Sequence, residues 1–193
     1  TGATTIDAGI LSIAADSGLG TAPGSATPSK LIFTGGTLQA TATFTLNSNR
    51  GIALNAGGGT IEVASGTTMT YGGIIAAPGI ATLTKTGTGT LTLSGANTYT
   101  GATTINAGIL NIQNNTATGT TAGGVTVASG AALQIQGGIA VGAEALTLNG
   151  TGISDDGALR NISGTNSWAG LITLGSAARI NSDAGTLTLS GGI

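Results

Sequence analysis

The chain has 193 residues, of which 36 are Gly and 6% are charged, against roughly 25% charged in an ordinary globular domain. A hydrophobic content of 40% with a net charge of −2 excludes a disordered chain, and Gly without a G-X-Y period excludes collagen. Five scattered basic residues (Lys30, Arg50, Lys85, Arg160, Arg179) leave no electrostatic footprint for nucleic acid, and the absence of Cys removes disulfides and Cys-ligated metals.

From the N-terminus onward, the pattern is short strands and turns. Gly interrupts nearly every window that could sustain a helical period, and no apolar run has the length of a membrane-spanning helix. Alternating runs occur at Thr41 to Leu46, at Thr60 to Val63 after Gly57-Gly58-Gly59, and at Thr82 to Leu93 after Gly72-Gly73. In the last of these every second residue is Thr, and the opposite face carries Leu83, Leu91 and Leu93. Further runs follow at Val125 to Val127, Leu133 to Ile135, Leu146 to Leu148 and Leu187 to Leu189, set off by Gly123-Gly124 and Gly137-Gly138. Such strands suit a solenoid, a sandwich or a barrel.

Internal repetition decides between them. The block Thr1 to Ile13 returns at Thr100 to Ile112 with two changes, Asp7 to Asn106 and Ser12 to Asn111, and Gly89 to Gly95 returns as Gly185 to Gly191. Blocks copied half a chain away fit a stack, in which each coil needs only its neighbours. The expected fold is all-β, a parallel β-helix (β-solenoid) with roughly 20–25 residues per coil. It forms one continuous segment over 1–193, with repeat copies near 1 and 100 and a truncated third at 185–193. That predicts eight or nine coils and a rod of about 40 Å. Leu91, Leu93, Ile105, Leu110, Ile112, Ile6, Leu11 and Ile13 should point inward. Gly and Asn should take corners with positive φ.

The run from Thr86 to Leu110 resembles the autotransporter-associated β-strand repeat of the passenger regions of large Gram-negative surface proteins. The matching residues are Gly87, Gly89, Leu91, Leu93, Gly95, Asn97, Tyr99, Gly101, Thr103, Ile105, Gly108 and Leu110. This resemblance implies a right-handed β-helix, export across the outer membrane, and an extracellular or cell-surface location.

Candidate chemistry is sparse. The absence of His excludes Ser-His-Asp and Cys-His catalysis. Asp155 and Asp156, in an Asp-Asp-Gly context, read as a turn rather than an acid/base pair or calcium site. Twelve formal charges spread along the chain do not build the clustered groove of a β-helix polysaccharide lyase or hydrolase. Gly57 to Glu62 lacks the Asp of calcium-binding coils, and no Lys-Ser or Lys-Thr follows the Gly-rich runs. Tyr99 is expected to pack over a coil edge and Trp168 to plug a core or corner. The Thr-x-Thr pairs 41/43, 68/70, 98/100 and 186/188 could bind ice, but their irregular spacing predicts that they do not align into one row.

No catalytic, cofactor-binding or metal-binding residue is expected, and the chain is not read as an enzyme. The expected role is an extracellular structural rod, acting as spacer, fibre or matrix element. The alternative is an adhesin section binding a glycan or protein through an exposed face, and an ice-binding Thr face ranks below both. The chain begins and ends inside its own repeat motif. The expected partner is therefore further β-helix stacked at both ends, either more of the same polypeptide or copies arranged head to tail in a filament. Neither nucleic acid nor membrane contact is expected of this segment.

Overall fold

A computed structural model describes residues 2–193. The chain is a parallel β-solenoid: among the described residues, each of 22 strands pairs only in parallel, with strands of the preceding or following coil. No α-helix occurs among the described residues, and two short 3₁₀ turns lie at Asp16–Leu19 and Ile153–Asp155.

The coil has three sides. One is an eight-stranded sheet running from Ile10–Ile13 to Ile172–Leu174, and the second is a seven-stranded sheet from Phe44–Leu46 to Ile180–Ser182. The third is made in two parts, a four-stranded sheet ending at Ile75–Ala76 and a three-stranded sheet beginning at Ala140–Val141. Eight strands in one wall mean eight coils, about 34 Å from first to last at the usual step of 4.8 Å.

Coil length varies more than the sequence suggests. Leu83 lies against Thr103, 20 residues on, whereas Ile10 lies against Thr37, 27 residues on. The walls keep their register because the extra residues go to corners and loops. Positive φ at those corners falls on Gly and on Ser29, Ser154 and Asp155, never on a described Asn. The Asn expected there work differently, through buried side chains (Asn97, Asn111, Asn161 and Asn166).

The core is a set of ladders. Leu11, Leu38, Ile61, Lys85, Ile105, Val127, Leu148 and Leu174 stack in successive coils of the eight-stranded wall. Phe44, Met69, Leu91, Leu110, Leu133, Leu159 and Ile180 do so in the seven-stranded wall. Of the residues expected to point inward, seven are buried. Leu11, at the open N-terminal coil, is partly buried against the same core.

The repeated blocks do not occupy equivalent places. Thr4–Ile6 belongs to the third wall and Ile10–Ile13 to the eight-stranded wall. Their copies, Thr103–Ile105 and Gly108–Ile112, lie in the eight-stranded and seven-stranded walls. Likewise Thr90–Leu93 is in the seven-stranded wall and Thr186–Leu189 in the third. Each copy of the sequence repeat has advanced by one wall around the rod.

Candidate functional site

The motif residues between Gly87 and Gly101 are explained by contact with the coil beneath. A Cβ on Gly89 would collide with the Ala64 carbonyl, one on Gly95 with that of Gly73, and one on Gly101 with that of Ala81. Asn97 links three coils: its Oδ1 accepts from the Ile75 amide at 2.8 Å and its Nδ2 donates to the Ala117 carbonyl at 2.6 Å. Tyr99 is not at a coil edge but fully inside, with its hydroxyl 2.7 Å from that of Thr103. Burial raises its phenol well above the ordinary tyrosine range.

Trp168 is buried, and its Nε1 donates to the Glu144 carbonyl at 2.7 Å. Asp155 and Asp156 form the expected turn. Asp155 accepts from the Thr151 hydroxyl, Asp156 pairs with Arg160 at 3.0 Å, and Arg160 also pairs with Asp183 at 2.7 Å. These exposed pairs contribute little to stability. Among the described residues no group of three or more acidic side chains is placed to hold a metal ion.

Three charged side chains were not recognised in the sequence as core residues. Arg50 is buried, reaching Asp16 through Nε at 2.8 Å and Nη2 at 3.1 Å, and its Nη1 donates to the Leu19 carbonyl at 3.2 Å. It holds the 3₁₀ turn across the open first coil. Partial burial would raise the Asp16 carboxyl, but hydrogen bonds from Arg50 and the Asn47 amide outweigh it and leave the carboxyl below its ordinary value. Lys85 lies in the core ladder, and its ammonium donates to the carbonyls of Thr86, Gly87 and Ala107 at 2.6, 2.7 and 3.1 Å. Burial brings its pKa down to about 8, opposed by the nearby Glu62 charge. Its inward position was readable, since Lys85 falls on the same side of the alternation as Leu83. Glu144 is the third, and its sequence surroundings carry no signal.

On the outer surface the Thr rows differ from expectation. Thr37, Thr60, Thr84, Thr104, Thr126, Thr147 and Thr173 stand in register on seven successive coils of the eight-stranded wall. Irregular spacing along the sequence does not prevent alignment, because variable corners absorb the differences. Of the pairs named from sequence, 68/70 aligns with Thr90 and Thr92, while 98/100 and 186/188 lie elsewhere. The seven-stranded wall carries a second polar row, Thr45, Thr70, Thr92, Asn111, Gln134, Arg160 and Asn181, in which Thr92 and Asn111 are covered and buried. A cleft of about 240 Å³ opens at the bulge in the strand Thr27–Phe33, lined by Pro28, Ile52, Ile74 and Ala76 among others. It holds no charged side chain, so it offers apolar contact and the hydroxyl residues Thr27, Ser29 and Ser48.

A solenoid with apolar internal ladders, buried polar groups that bridge its coils, and outer walls that carry Thr and amide rows defines the class: a repetitive β-rod. Residues 83–112 match the family model of the passenger-associated-transport-repeat. Over 113 residues the chain is 43% identical to the adhesin BmaC autotransporter of Brucella suis biovar 1 (strain 1330). That alignment covers 55% of this chain and 3% of the much longer relative. No solved structure matches the chain.

Proposed function

We propose that the chain is a section of the passenger of a Gram-negative surface or secreted protein, and that it serves as a rigid, non-enzymatic rod that spaces or displays other parts. The observation that carries this reading is the passenger-associated-transport-repeat at 83–112, laid onto coils whose inward side chains are buried. Its Gly, Asn, Tyr and inward Leu positions are all accounted for by coil stacking, leaving none for chemistry. The test is display. An epitope in this segment of the parent protein should be reached by antibody and removed by protease on intact cells. An epitope accessible only after cell lysis would overturn the reading.

A second reading, an adhesive section, is favoured by the name of the similar Brucella protein. The surface chemistry favours the rod. Phe33, Tyr71, Tyr99 and Trp168 are fully buried and Phe44 packs against the core, so no exposed aromatic platform for a sugar is formed among the described residues. Beads coated with the chain that bound host cells or matrix glycans saturably would favour adhesion. The Thr row is flanked by projecting Gln39 and Glu62, which breaks the flat face an ice-binding surface needs.

We also propose that further parallel β-coil covers the outer edges of the strands Ile10–Ile13 and Ile172–Leu174. Both edges are unpaired on one side, and Ile10, Leu171 and Leu174 are exposed beside them. Light scattering at high concentration should show the isolated chain associating. A stable monomer would count against it.

A further inference from the structure

The third wall is interrupted between its two sheets, from Ala76 to Ala140. Segments without strand structure, around 97–99 and 115–122, close it there, and a buried polar column runs behind them. The Tyr99 and Thr103 hydroxyls are 2.7 Å apart, and the Thr103 hydroxyl donates to the Thr118 carbonyl at 3.0 Å. The Thr118 hydroxyl donates to Glu144 Oε2 at 2.6 Å. Trp168 Nε1 donates to the Glu144 carbonyl, and Gly170 lies so close over that carbonyl that a Cβ would collide with it.

Glu144 is 1% exposed, and its Oε1 has no hydrogen-bond partner, unlike every other buried side-chain nitrogen or oxygen among the described residues. Its carboxyl meets the Thr118 hydroxyl and lies close enough to Tyr99 to act on it electrostatically, while Trp168 and Gly170 meet its backbone carbonyl from the coil above. None is a cation. The sequence has no His, and the Lys85 ammonium is held by its three carbonyls. A carboxylate here would keep one hydrogen bond and no counter-charge, a costly arrangement.

We propose that Glu144 is a pH-responsive latch: neutral, it keeps the interrupted wall closed, and ionised, it loosens the coils around 116–122 and 140–170 while the distant coils stay stacked. Burial pushes its carboxyl up to about 7, with the Thr118 hydrogen bond opposing. The folded value lies above the ordinary 4.5, so the stabilisation is complete below that value and is lost as pH rises through about 7. Tyr99, its one titratable neighbour, stays protonated throughout this window because burial raises it. Stacking confines the opening, since each coil touches only the next. The rod is then firm in mildly acidic surroundings and jointed at neutral to alkaline pH.

Trp168 is the single Trp in the chain, so its emission reports this region alone. From pH 5 to 8.5 its fluorescence should shift to the red with a midpoint near 7. Native-state hydrogen exchange at Ile139, Ala140 and Ala169 should lose protection by up to about tenfold per pH unit over the acidic part of that range. E144Q should abolish both changes. T118V, which leaves Glu144 in place and removes its hydrogen bond, should move the midpoint to higher pH. The proposal is overturned if protection is flat or rises with pH, if E144Q follows the wild-type profile, or if T118V leaves the midpoint where it was.

Discussion

Asn97 carries two hydrogen bonds that a regular third strand would otherwise supply, one to the Ile75 amide and one to the Ala117 carbonyl. Asn97→Ala would leave both buried groups unpaired and should cost roughly 2–4 kcal/mol, with the Ile75 amide exchanging faster than its neighbours. Little change in the unfolding midpoint would show that water replaces the side chain. The sequence motif located this Asn but not its role, since amide bridging between coils has no period. In the first coils of the stack, the Asp16–Arg50 pair adds an acid-sensitive contact. Because the folded Asp16 value is depressed, its stabilisation is present above the ordinary 3.8 and is lost as pH falls through the folded value. Arg50→Met should therefore remove any acid-dependent exposure of 16–20, measured by limited proteolysis, and a variant that kept that dependence would contradict the assignment.

At the scale of the strand, the alternation from Thr82 to Leu93 reads as one element and folds as two. Leu83–Thr86 lies in the eight-stranded wall and Thr90–Leu93 in the seven-stranded wall, with the corner at Gly87, where φ is 69°. A Cβ at Gly87 would strike the Val63 carbonyl, so the bend follows from the coil beneath rather than from local pattern. Runs such as Val125–Val127 and Leu146–Leu148 match their strands end to end because turns bound them on both sides. Strands such as Thr27–Phe33 and Arg50–Leu54 were not legible, since a bulge in the first and a buried Arg in the second break the alternation. Leu93 stacks between Tyr71 and Ile112. Leu93→Asp buries an unpaired charge and should cost several kcal/mol, with hydrogen-exchange protection lost in its own and adjacent coils first. Equal loss throughout the chain would contradict nearest-neighbour stacking.

For the whole molecule, the sequence repeat announced a stack without revealing its phase. Copies 99 residues apart, as Ile6 and Ile105 are, sit on successive walls because coils of 19 to 27 residues do not divide that interval evenly. Equivalent motifs therefore face different directions, while Thr side chains from unrelated positions line up in one row. That row offers the most direct measure of the architecture. The chain has no native Cys, so spin labels can be placed through Thr37→Cys, at a half-buried position, and Thr173→Cys, at an exposed one, six coil steps apart along the eight-stranded wall. Pulsed dipolar spectroscopy should give one narrow distribution, with a backbone separation of about 29 Å from a 4.8 Å step. A separation under about 20 Å, as in a chain folded back into a sandwich, or a distribution without a defined maximum, would contradict the solenoid.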